Sequence, residues 1–252
     1  MPKLHKIVSF LDDYLDIHSI KDSCWNGLQY EGRENVKRIG YAVDAGVESF
    51  LKASSLKCDM LVVHHGHFWT NQNPSYSGWA KKRLDVLSSS GLSLYASHLP
   101  LDRHKIVGNN AQIIKLLGGR IEDEFLFQSG KNIGWTGRLK KSTDIEIITK
   151  KLEEGLNAQP TVLSFGRKKI DTVAVCSGGG GYGGFYEALS KGVDLYITGD
   201  AIEIYYTAKD AGMNVIFAGH HTTETIGLEA LQKVVDKKMK TTSVFIDLPT
   251  GL

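Results

Sequence analysis

The 252-residue sequence predicts an α/β fold made of two similar halves. Three observations lead there. Apolar runs of strand length alternate with helical patterns along the chain, the signature of strand–helix–strand units around largely parallel sheets. The same order of elements occurs twice. The composition, 42% hydrophobic and 23% charged, is that of a folded globular chain with enough apolar mass for a core.

The elements follow in order. Leu4, Ile7, Val8, Leu11, Tyr14 and Leu15 repeat at helical spacing and give an amphipathic first helix. Asp12, Asp13 and Asp16 interrupt its apolar run, so the segment does not read as a signal-peptide core, and no uncharged run reaches membrane-spanning length. Strands are expected at 39–43, 60–63 and 92–96, with helices at 48–55 and 80–89 between them. The second half repeats this with strands at 173–176, 195–198 and 215–218 and helices at 185–190 and 203–209.

The repetition extends to residues. CDMLVVHH (58–65) lies over VDLYITGD (193–200) at an offset of 135, and GLSLYASH (91–98) over GMNVIFAG (212–219) at an offset of 121. The intervening segment of the first half is therefore 14 residues longer, and the surplus includes a loop from His67 to Gly78 rich in Ser, Asn, Pro and aromatics. This is the expectation of an internal duplication. Periodicity lapses between Glu122 and Arg138 around the turn signals Ser129, Gly130 and Gly134, so the boundary is placed there, with domains at 1–127 and 128–252. Thr143 to Gly155 reads as a helix opening the second domain, and Val244 to Leu248 as a last strand ended by Pro249.

Lys plus Arg is 30 and Asp plus Glu is 28, a net charge of +2, which offers no broad field for a nucleic-acid backbone or an anionic membrane. Nucleic acid and membrane are disfavoured as partners. The three cysteines, Cys24, Cys58 and Cys176, lack C-x-x-C spacing, which argues against a disulfide framework or thiolate zinc site and fits a reducing cytoplasm.

The nine histidines carry the functional signal, because seven fall in three clusters: His64, His65 and His67; His98 and His104; His220 and His221. Open α/β sheets bind ligands beyond the carboxyl ends of their strands. His64 and His65 follow the strand LVV, with Gly66 permitting the turn that lets both reach one site. The next strand ends at His98 and runs through Leu-Pro-Leu to Asp102. Its second-half counterpart ends at His220, and Glu224, four residues on, is expected to open an amphipathic helix and share a face with it. Imidazoles and carboxylates without thiolates suit catalytic zinc, manganese, iron or cobalt. Five ligands, His64, His65, Asp102, His220 and Glu224, exceed one tetrahedral ion and suffice for two ions about 3.5–4 Å apart. His98, His221, His67 and His104 form a second tier, each able to ligate, orient a ligand or shuttle a proton, with His98 first and His67 and His104 read at least as readily as exposed loop residues. The glycine run at 178–184, between a strand and a helix, matches no Walker or dinucleotide fingerprint and reads equally as a phosphate cradle or as close packing.

These residues resemble the Nif-three-like family, whose members are commonly named GTP cyclohydrolase 1 type 2 homologues. The resemblance is carried by WNGLQYEG (25–32), VVHHGHFW (62–69), SHLPLDRHKIVGNNAQI (97–113), CSGGGG (176–181), ITGD (197–200) and AGHHTTE (218–224), and spans nearly the whole chain. Asp200 stands in ITGD where the family commonly has Glu, so a carboxylate is kept. The resemblance implies two similar intertwined three-layer α/β/α domains, the C-terminal strand being open to exchange onto the first, with a dinuclear metal site between them. It implies the same five ligands, assembly as a homohexameric ring, and no room for the inserted domain of longer members. It also implies a metal-dependent hydrolase acting on a purine nucleotide or related molecule, with His98 or His221 as proton shuttle and the glycine loop against a triphosphate. The alternative is a metal-binding scaffold or regulatory protein without turnover.

Overall fold

A computed structural model describes residues 1–128 and 130–252, which divide into two compact units. Ser129, one of the expected turn signals, lies outside the described residues. The first unit comprises Met1–Leu101 and Leu228–Leu248, and the second Asp102–Gly227 and Pro249–Leu252.

The first unit opens with α1 (Leu4–Leu15), whose buried Leu4, Ile7, Leu11 and Leu15 form one apolar stripe. The helix stops at Asp16, which takes the left-handed conformation, φ 50°, and donates its amide to the Asp12 carbonyl. Then come β1 (Gly27–Tyr30), β2 (Arg38–Asp44), α2 (Val47–Ser55), β3 (Met60–His65), α3 (Gly78–Ser90) and β4 (Ser93–Ala96). A short α4 (Leu99–Asp102) carries the chain out of the unit.

The second unit contains α5 (Asn109–Leu116), β5 (Gly119–Gln128), β6 (Lys131–Asp144), α6 (Ile145–Leu156), β7 (Thr161–Ser164), β8 (Lys169–Cys176), α7 (Gly181–Ser190), β9 (Leu195–Thr198), α8 (Tyr205–Ala211), β10 (Asn214–Phe217) and α9 (His220–Thr223). The division between units then falls within α10 (Thr225–Met239), and β11 (Thr242–Phe245) ends the element order.

The first sheet has the order β1-β4-β3-β2-β11 and the second β5-β6-β8-β9-β10-β7. In the first, β2, β3 and β4 are parallel, β1 pairs antiparallel with β4, and β11 joins β2 in parallel. In the second, β8, β9 and β10 are parallel and β7 pairs antiparallel with β10. Both sheets are therefore mixed, with antiparallel edges that the expected three-strand runs omitted. The edge strands β1 and β7 are only four residues long, too short to show a period of two.

The two sheets match in register. Met60 faces Ser93 across β3 and β4, and Leu195 faces Asn214 across β9 and β10, the positions reached by the sequence offsets of 135 and 121. Ile39 faces Met60 as Val173 faces Leu195, and the antiparallel edges agree as well: Gly27 lies opposite Ala96 and Thr161 opposite Phe217. Two similar α/β domains are thus present, each with its own core. Phe50, Leu61, Val63 and Leu94 anchor the first, and Trp135, Ile148, Val175 and Ile197 the second. The central strands are buried along their length, as parallel strands covered on both faces must be.

The segment around 122–138 is a hairpin of two long strands, β5 and β6, so the boundary expected at residues 127 and 128 lies at the end of a strand inside the second sheet. Its pattern was masked because β5 exposes most of its length, and because Gly134 and Gly137 occupy strand positions that have no room for a side chain. A Cβ on Gly134 would lie 2.6 Å from the Val175 carbonyl oxygen, and one on Gly137 2.7 Å from Ile114 Cγ2.

Candidate metal centre

In the first unit, His64 and His65 are the last two residues of β3, with ring centroids 4.8 Å apart, and His98 follows β4 with its ring 5.0 Å from His64 and 5.5 Å from His65. One ligand nitrogen from each of the three lies within 4.8 Å of the others. His98 thus stands beside His64 and His65, close enough either to share an ion with them or to pass a proton at the same place.

Each ring is held by Nδ1. His64 Nδ1 donates to the Ser97 carbonyl at 3.0 Å, His65 Nδ1 to Asp44 Oδ1 at 2.8 Å, and His98 Nδ1 to Asp22 Oδ1 at 2.8 Å. Asp44 stands directly across the ladder from His65, at the carboxyl end of β2. Asp22 is further held by Asn26 Nδ2 and by the amides of Cys24 and Leu99. Burial raises the Asp22 carboxyl, but the His98 bond and charge, with the Asn26 and Cys24 donors, outweigh it and bring the group down to about 2. An ionised Asp22 can only accept, so the proton of His98 sits on Nδ1 and Nε2 is the nitrogen directed at a ligand.

Gly66 follows directly on β3. Its φ is not positive, and its missing side chain makes room for neighbours: a Cβ would lie 2.7 Å from Gln29 Oε1 and 2.8 Å from the Ala96 Cβ. That Gln29 oxygen accepts from the amides of His67 and Phe68, pinning the chain just beyond the histidines.

In the second unit, His220 opens α9, and Glu224 is the residue between α9 and α10, with φ −107° and ψ 0°. It was expected to open a helix and share a face with His220; it lies one residue ahead of α10, with its carboxylate 3.3 Å from His220 Nε2, and is 2% exposed. His220 Nδ1 donates to Asp200 Oδ1 at 2.8 Å, repeating the arrangement of His65 and Asp44. The Glu224 hydrogen bond, opposed by burial and assisted by the Glu224 and Asp200 charges, raises the His220 imidazole to about 9.

Asp102, expected on the first side, is the first residue of the second unit. Its Oδ1 accepts from Asn109 Nδ2 and from Ser177 Oγ, both at 2.8 Å, and these partners belong to the second unit's own framework. Asn109 Oδ1 in turn accepts the Gly227 amide at 2.9 Å, tying Asp102 to the start of α10. Asp102 and Glu224 are both close to Cys176, whose thiol is raised well above its ordinary value by burial and then by these two carboxylates.

The glycine run is explained by packing. Gly178, at φ 57°, lies against the Glu224 carboxylate, and a Cβ there would be 3.0 Å from His220 Nε2. On Gly179 a Cβ would be 2.9 Å from Asp200 Oδ2, and on Gly180 2.9 Å from Thr198 Oγ1. His221 is buried beside His220, and among the described residues it joins neither the three-histidine cluster nor the His220–Glu224 pair. His104 Nδ1 accepts the Ile106 and Val107 amides, the role of a turn residue, and His67 is buried against Phe68 and Arg83. The residues sequence reasoning missed are the tethers Asp22 and Asp44; a carboxylate at the end of the strand next to a histidine-ending strand was the available signal for Asp44.

Two similar α/β domains carrying clustered histidines, with rings held by carboxylates, define a class of protein suited to divalent metal. The chain belongs to the Duf34/NIF3 (NGG1p interacting factor 3) family, whose sequence profile matches residues 2–250. It is 44% identical over 250 residues to the GTP cyclohydrolase 1 type 2 homolog of Archaeoglobus fulgidus, covering 99% of each chain. Among solved structures it is similar to the protein ybgI, of unknown function, with TM-score 0.91, 32% identity and full coverage of both chains. It is also similar to a Thermus thermophilus protein, with TM-score 0.87, 36% identity and full coverage of both.

Proposed function

We propose that the protein is a dinuclear-metal-dependent hydrolase acting on a purine nucleotide or a related small molecule. The observation that carries this reading is the Nδ1 tethering of His64, His65 and His220, which fixes each ring for coordination of divalent metal through Nε2 in the manner of metalloenzyme sites. The donor set fits the ions: imidazoles with the carboxylates of Asp102 and Glu224, and no thiolate, suit zinc, iron, manganese or cobalt. In this reading the five residues together hold two ions. Such ions supply Lewis acidity and a water acidic enough to react near neutral pH.

The chain's own residues do the rest. His98, fixed by Asp22, presents Nε2 to carry a proton to or from the reacting group, and His221 is the second candidate for that role. Asp44 and Asp200 keep their histidines in the ligating tautomer. The named relatives support a nucleotide substrate. The glycine run, occupied by packing at 178–180, leaves Gly181 and Gly183 as its open positions, so any phosphate contact falls to the start of α7. The family resemblance supports a homohexamer. Buried, unpaired cysteines, with Cys24 and Cys58 pushed by burial to about 11, support a reducing cytoplasmic setting.

The test is formate release from GTP. Wild-type protein holding two equivalents of one transition metal should release formate, and His64→Ala should not. A fully metallated wild type that releases none removes the cyclohydrolase version. A second reading, a metal-binding scaffold without turnover, draws on the interaction named in the family's description. It predicts metal sites saturated by protein atoms and no turnover of any nucleotide.

A further inference from the structure

The 14 extra residues of the first half are divided between a longer loop and a longer helix, α3 having 13 residues where α8 has 7. The loop between β3 and α3, residues 66–77, has its counterpart between β9 and α8 in the short segment 199–204. Together with residues 25–29 and the start of α3, the long loop walls a cavity of about 630 Å³. This size suits a ring system rather than a polymer. Its aromatic walls are Phe68 and, with polar edges, the four rings of Trp25, Trp69, Tyr76 and Trp79.

Three of these rings are unusually open. Trp25 is 62% exposed, Tyr76 66% and Trp79 58%, a cost in exposed apolar area that the domain's core does not require. The fourth is fixed. Trp69 donates Nε1 to the Gly66 carbonyl at 2.8 Å, and its ring lies 5.2 Å from His98 and 6.1 Å from His65. Trp69 thus borders both the cavity and the histidine cluster. Trp79 is backed by the Arg83 guanidinium, 5.1 Å from its centroid, which holds the indole in place.

The polar character of the cavity narrows the ligand. Among the described residues, no lysine, arginine, aspartate or glutamate lines it, so apart from the His67 imidazole it brings no basic side chain to pair with a phosphate. Its polar side chains include the amides of Gln72 and Asn73, which carry both donors and acceptors in one plane, as the edge of a nucleobase does.

We propose that this loop is a ring-binding subsite which stacks a neutral, planar nitrogen heteroaromatic of the nucleobase class between exposed indoles, with Trp69 setting its distance from the histidine cluster. The inference rests on the small-molecule hydrolase reading for its setting, but binding at the subsite does not depend on turnover. It also states why only one half of a duplicated chain carries the loop: one ring needs one cradle.

The experiment is guanosine binding to the full-length protein as purified, followed by tryptophan fluorescence quenching and confirmed by equilibrium dialysis, with ribose as the non-aromatic control. Guanosine should bind and ribose should not, and raising the salt should leave guanosine affinity unchanged, because no charge is recognised. Trp25→Ala and Trp79→Ala, both on exposed side chains, should each weaken binding roughly ten- to a hundred-fold. Trp79→Phe, which keeps an aromatic face, should restore most of it, and metal content should match wild type throughout. Absence of quenching, equal binding of ribose, or unchanged affinity in both alanine variants overturns the subsite. A change of oligomeric state in those variants without loss of guanosine binding also overturns it, by assigning the rings to a protein interface. Guanosine binding without formate release from GTP leaves the subsite standing and removes the cyclohydrolase reading. Formate release with unchanged KM in Trp79→Ala does the reverse.

Discussion

His98 Nδ1 donates to Asp22 Oδ1 at 2.8 Å, joining residues 76 positions apart. The bond locks the tautomer of a histidine in the three-imidazole cluster, and it stabilises the fold through a carboxylate whose side chain is only 2% exposed. The folded-state Asp22 value of about 2 lies below the ordinary 3.8. A depressed carboxylate contributes stability that is present above its unfolded value and is lost as pH falls through its folded value. Asp22→Asn should therefore cost about 2 kcal/mol at pH 7, and the gap from wild type should close between about pH 4 and pH 2. Urea unfolding at several pH values measures this; a gap that stays constant down to pH 2 contradicts it.

Asp44 and Asp200 act on proposed ligands without being ligands themselves. Loss of such an orienting carboxylate lowers metal affinity by about 10- to 100-fold. Asp44→Ala and Asp200→Ala should each show this in competition with a chelator, while unfolding shifts by no more than about 1 kcal/mol because both carboxylates are partly exposed. Equal metal retention in wild type and both variants contradicts the tethering role.

Gly178 and Gly181 form a matched pair, at φ 57° and φ 56°. An alanine at either pays the left-handed backbone cost of about 1 kcal/mol. Only Gly178 faces the Glu224 carboxylate and His220, whereas nothing lies within 4 Å of a Cβ on Gly181. Gly178→Ala should destabilise by clearly more than Gly181→Ala and should also displace Glu224, lowering metal content. Similar stability and full metal in both would show that the run is not packed for the site.

Asn109 is 0% exposed and bridges Asp102 Oδ1 to the Gly227 amide. Truncation leaves a buried carboxylate oxygen and a buried amide short of a partner, at about 1–3 kcal/mol each. Asn109→Ala should lower stability by about 2–5 kcal/mol and weaken metal binding on the Asp102 side. Thermal unfolding with and without added metal checks both parts, and a wild-type melting curve sinks the argument.

Much of this protein was legible in its sequence because the information was local. The strands of the two repeats are short apolar runs, and the offsets of 135 and 121 carry through to pair Leu195 with Asn214 as Met60 pairs with Ser93. The clustering of histidines after core strands needs only the rule that ligands gather at strand ends. What the tertiary structure decided depended on distant neighbours. Gly134 reads as a turn signal in the sequence, whereas in the fold it is a strand residue packed against the Val175 carbonyl, within the β5–β6 hairpin. Glu224 falls in the break between α9 and α10, one residue ahead of the helix it was expected to open, while its meeting with His220 follows from their spacing. Asp22 carried no signal at all, because nothing in its own segment tells of His98, 76 residues away. Periodicity and spacing determine which face of an element is apolar and where its ends lie. Which carboxylate meets which imidazole is decided only when the sheets set those ends side by side.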